Sequence, residues 1–547
     1  MTDGAFKAKL SMVDMVFVGF GAIFGSGWLF ASSKVGSIAG PAGTISWVIG
    51  GIAVLLLGLV YAELGASLPR AGGVIRYPLY SHGPLLGYLM AFETLVAFSS
   101  LIAIEVVAAR EYAAAWMPWL NGEGSSPSLI GWFAQLAILV VFMFLNYRAV
   151  TTFAESNFLI TIFKFLVPIL TIVVLLAHLK PGNFTAHEFA PFGASGIMNA
   201  VSAGGVMFAF LGLQPIVSMA SEARNPKRDV PLALVLSVLL GTVVYVLLQV
   251  SFIGAIPDSD LANGWAHIDS LYSLPYRDVA TVLGLGWLTY FIVSDAIISP
   301  AGTGNIYMSA SPRVVYGWAR SGTFFRVFTR VDEKSGVPRP ALWLTFAMSV
   351  FWTLPFPSWG VLVNVVSAAL ILSYAIAPIC AGSFRRQAPQ LARPFRVGGF
   401  SIISPAAFVI AAFIVYWTGW ATVSWLLASQ IVLFVIYLAV REKVPQDLVS
   451  LPQQVRSSVW LIVFYIAMLV VSYLGSYGGG QGVLAMPLDM ILVTGIALGS
   501  YYWGVHSALP AGQFDEDPVV GDDDLAIMEG RLGDDVGPIA DRAEHAN

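Results

Sequence analysis

Charge, cysteine and clustered histidine are all scarce in this chain of 547 residues. Only 11% of the residues are charged, against roughly a quarter in a soluble globular protein, and 57% are apolar. So little charge cannot cover a water-facing surface, and the chain reads as an all-α polytopic membrane protein. One cysteine, Cys380, excludes an intramolecular disulfide and a cysteine-rich metal site. The six histidines stand apart, with no HxxxH or CxxC spacing anywhere, which argues against a metal-dependent membrane enzyme or a haem protein. No enzymatic activity, metal or cofactor is therefore expected.

What is abundant is apolar sequence in long runs. Crossing a hydrocarbon core takes about 20 residues, and fourteen runs qualify, centred near residues 24, 54, 98, 138, 167, 208, 243, 293, 348, 371, 410, 430, 466 and 497. The polar leader "MTDGAFKAKLS" runs straight into the first of them, which is expected to be retained rather than cleaved.

Placing both termini in the cytoplasm puts Arg70, Arg76, Arg148, Arg224, Lys227, Arg228, the stretch from Arg313 to Arg339, Arg385, Arg386, Arg393, Arg396, Arg441, Lys443 and Arg456 in cytoplasmic loops. Only Lys34, Lys180 and Arg277 fall outside, as the positive-inside rule requires. From Phe514 onward the chain holds eleven Asp or Glu and two Arg, which reads as a disordered cytoplasmic tail. Without it the formal charge moves from −4 to +5, so the overall acidity says nothing about a substrate.

Two spans are interrupted by glycine. Span 1 carries "GAIFGSGW" and span 6 carries "FAFLGLQP", with Gly25 and Gly212 separated by 187 residues. Glycine lowers helix stability by about 1 kcal/mol relative to alanine. Pro215 adds a missing N–H, which leaves the carbonyl of Leu211 without its helical donor. Small residues can simply let helices pack closely. Two breaks five spans apart point instead to a transporter site built from inverted repeats, spans 1 to 5 and 6 to 10. Irregular backbone inside a membrane survives only where protein covers it or it lines a wet cavity. A half-helix N-terminus suits a carboxylate and unwound carbonyls suit an ammonium or a small cation. Together they describe an α-amino acid.

With these motifs the sequence resembles the amino acid, polyamine and organocation transporter superfamily. The likeness rests on "IFGSGWLF" in span 1, "FAFLGLQPIVSMASEARNPKRDVPLAL" with Glu222, Asn225, Pro226 and Pro231, "YAELGASLPRAGGVIRYPLYSHGPLLGYL" and "ASPRVVYGWARSG", and covers about residues 12 to 440. "GGVIRYPLYSHG", "GGVMFAFLGLQPIVS" and "FWTLPFPSW" are similar to the subgroup of bacterial aspartate–proton symporters. The resemblance implies a 5+5 inverted-repeat (LeuT-like) core with extra C-terminal helices, alternating access around a site near the midplane. It further implies that the carbonyl of Ile23 and the backbone at Gly25, Ser26 and Gly27 hold the two ends of the substrate. Phe208, Ala209 and Leu211, next to Gly212, supply further ammonium acceptors, and the Phe208 ring is the implied gate. Gln214 stands where many relatives carry a glutamate.

Ionisable residues at membrane depth are costly, about 2.5 to 3.5 kcal/mol each on insertion scales. Lys164 in "FLITIFKFLVPILTIVV" lies about 13 Å along the helix from Glu155 at 1.5 Å per residue, and Pro168 predicts a kink beside it. Such a lysine is suited to loading and releasing a proton, or to steadying span 5 by pairing with an acid. By resemblance it takes the place of the sodium ion that other members of the wider fold use, which makes it the proton-coupling residue. Glu105 in span 3 is a second proton site, a partner for Lys164, or a partner for Arg110. Arg110 is a candidate to receive an acidic side chain, and helix-end snorkelling accounts for it equally. Asp295 in span 8, followed by Ser299 and Pro300, is a candidate to face the ion site.

The expected organisation is a cytoplasmic N-terminus at 1–11, a transport core at 12–400, additional transmembrane helices at 401–510 and an acidic cytoplasmic tail at 511–547. The expected activity is proton-coupled uptake of an amino acid, aspartate or another acidic one, across the cell membrane. An exchanger of the same fold, a sodium symporter and an amino acid-sensing receptor are the alternatives. The expected partners are the amino acid, the proton and the lipid bilayer, with no nucleic acid.

Overall fold

The computed structural model describes residues 10–510 apart from 71, 124–125, 148–149, 333–334, 355–357 and 441–448, with no side chains described at 150–159 and 440. The acidic tail, most of the N-terminal segment, Arg148, Arg441 and Lys443 lie outside the described residues, as does the side chain of Glu155.

The chain folds into helices: α1 (Met12–Ile23), α2 (Gly27–Ala39), α3 (Gly43–Ser67), α4 (Gly73–His82), α5 (Pro84–Ala113), α6 (Leu129–Asn146), α7 (Val150–Leu176), α8 (Gly193–Ser202), α9 (Val206–Phe210) and α10 (Leu213–Ser218). There follow α11 (Pro226–Ala255), α12 (Ile268–Leu271), α13 (Pro275–Val282), α14 (Gly286–Arg320), α15 (Arg339–Trp352), α16 (Trp359–Gln387), α17 (Phe400–Thr418), α18 (Trp420–Val440), α19 (Leu451–Leu474) and α20 (Leu488–Ser507). Among the described residues the β structure is limited to two isolated bridges.

Nine helical stretches among the described residues are long and apolar enough to cross a membrane, or ten if the pair Gly193–Ser202 and Val206–Ser218, bent by 44°, is one span. The expected centres all fall on a helix or at a break between two. Those near 24 and 208 fall where a span is divided into pieces too short to cross alone. Centre 348 falls on α15, which has only 14 residues. Lys34, assigned to a loop on sequence, lies inside α2. The helix α7 runs on through Pro168 without interruption.

Burial divides the bundle into a centre and a rim. The apolar window of α5 is 94% buried and that of α16 83%, whereas α6 and α18 are 33% and 28% buried. The rim helices present side chains such as Phe144 and Val435 outward, a surface that hydrocarbon accepts and water penalises.

The two breaks lie side by side and run in opposite directions. A Cβ on Gly27 would stand 2.7 Å from Cα of Ala209, and one on Gly212 would stand 2.7 Å from the carbonyl carbon of Ala22, beside the backbone nitrogen of Ile23. The later part of the first break thus meets the earlier part of the second, and the reverse, as a two-fold axis in the membrane plane requires. Backbone contact this close leaves room only for hydrogen at both glycines.

The pairing of distant motif stretches is equally specific. Arg313 of α14, in "ASPRVVYGW", forms a buried ion pair with Glu222, in "ASEARNPKRD". Leu10 and the segment around Glu222 are joined by backbone hydrogen bonds, Leu10 N–H to Glu222 O and Arg224 N–H to Leu10 O, at 2.9 and 2.8 Å. The C-terminal helices dock on α4 and α5: His82 Nε2 lies 2.9 Å from Gly504 O, and Gln430 of α18 donates to Glu93 of α5.

Candidate functional site

The first break is short because glycine allows it to be. Phe24 closes α1 with an N–H bond to Phe20 O at 2.8 Å, and Gly25 N–H turns back to Ile23 O at 3.1 Å. Ser26 then starts α2, and its N–H donates to Glu105 Oε2 at 2.8 Å. A Cβ on Gly25 would lie 2.5 Å from Glu105 Oε1 and 2.9 Å from Thr303 Oγ1. The missing side chain is what lets a carboxylate from α5 reach the free end of α2. The Ser26 hydroxyl accepts from Trp359 Nε1 at 2.8 Å.

The second break is completed by tyrosines. The carbonyl of Leu211, deprived of a helical donor by Pro215, accepts from Tyr307 Oη at 2.7 Å. Tyr374 Oη accepts the N–H groups of Leu213 and Gln214 at 2.8 and 3.2 Å. Tyr245 Oη lies 2.8 Å from Ile23 O and 3.0 Å from Ala209 O, so one hydroxyl bridges both breaks. The Phe208 carbonyl accepts the Leu211 N–H at 3.1 Å. Its ring stands edge-on to Trp359 at 5.6 Å, and Trp359 stacks on Phe30 at 4.7 Å. Gln214 holds its amide between Ser373 Oγ at 2.9 Å and Tyr61 Oη at 3.3 Å.

A second centre adjoins the first. Lys164 is fully buried, and its Nζ donates to Gly21 O at 2.6 Å and Thr303 Oγ1 at 2.7 Å. The Thr303 hydroxyl donates to Gly21 O at 2.8 Å, and Ser299 Oγ lies 3.4 Å from Phe24 O. The ammonium therefore grips the end of α1 from α7, with α14 as the third wall. A Cβ on Gly302 would stand 2.5 Å from Cγ2 of Ile160, so the missing side chain lets α14 approach α7 beside the lysine. Glu105 and Asp295 both act on Lys164 electrostatically.

The structure thus gathers Ile23, Gly25, Ser26, Gly27, Phe208, Ala209, Leu211 and Gly212 around facing breaks, with Glu105 between them and Lys164. Arg110 is buried further along α5, where its Nη1 donates to Asn121 Oδ1 at 2.5 Å and its Nη2 lies 3.6 Å from Glu111. Sequence reasoning missed Thr303, Tyr245, Tyr307, Tyr374 and Trp359. Ser299 and Thr303 follow Asp295 at successive helical turns, which was a readable signal. The tyrosines sit among many aromatics and carry none.

The sequence profile described as amino acid permease matches residues 10–469. The aspartate-proton symporter of Bacillus subtilis (strain 168) is 55% identical over 516 residues, spanning 94% of this chain and 99% of that protein. The glutamate/serine transporter AimA of the same organism is 36% identical over 509 residues, 91% of this chain and 94% of its own length. The branched-chain amino acid permease BcaP, also from Bacillus subtilis, is 27% identical over 459 residues.

Proposed function

The chain belongs to the amino acid permease family, and from that premise we propose that it takes up an acidic amino acid, aspartate first, together with protons by alternating access. The observation that carries the coupling half of this reading is Lys164 Nζ hydrogen-bonded to the Gly21 carbonyl and to Thr303 at the end of the broken helix α1. A titratable amine in that place links its proton to the geometry of the break, and the ammonium form disfavours a sodium ion there. The 55% identity to an aspartate-proton symporter supports the same substrate and ion.

In this reading the substrate binds at the facing breaks, its carboxylate toward the backbone of Gly25, Ser26 and Gly27, and its ammonium toward the carbonyls of Ile23, Phe208, Ala209 and Leu211. Phe208 and Trp359 together cover it on one side. Residues 12–400 form the moving core, and the later helices brace it. The protein sits in the cell membrane with both termini in the cytoplasm, since that orientation places the loop arginines and lysines inside.

Energy sets what coupling must accomplish. Moving an aspartate monoanion into a negative cytoplasm costs about 2.3 kcal/mol per 100 mV. One proton cancels the charge and leaves the pH gradient, worth about 1.4 kcal/mol per unit. The test is uptake of labelled amino acids by purified protein in proteoliposomes with a pH gradient imposed, acid outside. Accumulation of aspartate that collapses with a protonophore and ignores sodium replacement is expected. Uptake that requires amino acid inside, and no gradient, identifies an exchanger and overturns the reading.

A further inference from the structure

Asp295 lies on α14 one turn before Ser299 and two turns before Thr303, a spacing that sets the three on one helical face. Ser299 and Thr303 both lie 3.4 Å from the Phe24 carbonyl at the first break, and Thr303 also receives the Lys164 ammonium. Asp295 continues this polar row. It is fully buried, and among the described residues neither of its carboxylate oxygens has a hydrogen-bond donor.

Buried polar groups that serve structure are nearly always hydrogen-bonded, and an unpaired charge at membrane depth is costly and marks ion pathways and proton relays. The charged group that acts on Asp295 is Lys164, across on α7. Glu105 of α5, the other acid acting on Lys164, is already engaged with the Ser26 N–H. Two buried carboxyl groups therefore act on one ammonium; one is hydrogen-bonded and the other has no donor among the described residues.

Building on the proton-coupled reading, we propose that Asp295 is a second proton carrier, loading and releasing one proton in each cycle alongside Lys164. In the loaded state Asp295 is a carboxylic acid and Lys164 an ammonium. After release toward the cytoplasm they are a carboxylate and an amine. Two protons then enter with one aspartate monoanion, and each cycle moves one net positive charge inward.

The experiment uses full-length protein in proteoliposomes, with labelled aspartate, an internal pH dye, and a membrane potential set by potassium and valinomycin at equal pH on both sides. The expected count is two protons per aspartate, with inside-negative potential raising accumulation by up to about 50-fold per 100 mV, the equivalent of ~2.3 kcal/mol per charge. Asp295→Asn is expected to lower the count to one and to remove the voltage response. A wild-type count of one, or a voltage response that survives in Asp295→Asn, overturns the proposal. If that variant does not fold, Asp295→Ser is measured in its place, with the same expected loss of one proton and of the voltage response. Absence of any proton-driven aspartate uptake by the wild type defeats the underlying reading instead, and is told apart because no proton count is then obtained.

Discussion

The carboxylate of Glu105 accepts the backbone N–H of Ser26 at 2.8 Å, so an acid from α5 already occupies the free N-terminal end of α2. A substrate carboxylate arriving at that end must compete with it. The competition is strongest when Glu105 is ionised, because a helix N-terminus favours negative charge.

Glu105→Gln is therefore expected to flatten the pH dependence of substrate affinity. In the wild type KM rises as pH rises, by up to about tenfold per unit, the limit for one competing ionisation. In the variant this one competing ionisation is lost and the slope becomes shallower, leaving the part that Lys164 and Asp295 contribute. KM for aspartate across a pH series, with inside and outside held equal, checks this, and parallel slopes in the two proteins contradict it.

Lys164→Ala removes the amine that holds the Gly21 carbonyl and the Thr303 hydroxyl. Accumulation driven by a pH gradient is expected to vanish while some substrate binding persists. Radiolabel uptake in proteoliposomes paired with a binding assay on the same preparation separates the two. Full accumulation by the variant would rule out the coupling role.

Gly27→Ala places a methyl 2.7 Å from both Cα and Cβ of Ala209. Neither atom belongs to a flexible chain end, so the two breaks must move apart, at about 1–3 kcal/mol for overpacking. Transport is expected to fall sharply in protein that still purifies as a single species. Ala209→Gly in the same chain relieves part of the clash, and restored uptake in the double variant is the expected sign.

Tyr307→Phe leaves the Leu211 carbonyl without the donor that compensates for Pro215. An unsatisfied buried acceptor costs about 1–3 kcal/mol, so the thermal midpoint in detergent is expected to drop. An unchanged midpoint means that the carbonyl finds another donor.

Arg313→Met strands the carboxylate of Glu222 in a site where both partners are buried. Breaking such a pair from one side costs about 3–5 kcal/mol, and the expected outcome is poor expression or a much lower midpoint. Adding Glu222→Gln is expected to recover part of the loss, since the remaining group is then uncharged.

How far the sequence could be read differs from feature to feature. The breaks were legible because glycine and proline act on their own backbone, within one helical turn. Lys164 and Asp295 stood out because ionisable residues are rare in apolar runs. The partners of those residues were not legible. Thr303 lies 139 residues from the lysine it receives, and Tyr245 lies 222 residues from the carbonyl it caps. Lys34 and Arg76, both assigned to loops, lie within α2 and α4, where helices continue past a charge that the sequence alone places at a span's end.

Composition and local pattern alone thus determined that this chain carries apolar helices able to cross a membrane and which two of them are interrupted, while nine or ten of the fourteen expected spans are long and apolar enough among the described residues. The first follows from the transfer of each segment between water and hydrocarbon, a nearly additive quantity along the chain, and the second from glycine and proline acting on their own backbone. Only the tertiary structure decided that the breaks face each other in opposite directions, that Glu105 fills the end of α2, and that Asp295 is buried with no hydrogen-bond donor among the described residues. Those relations depend on which helices touch, and contact between helices far apart in sequence is settled by the packing of the whole bundle.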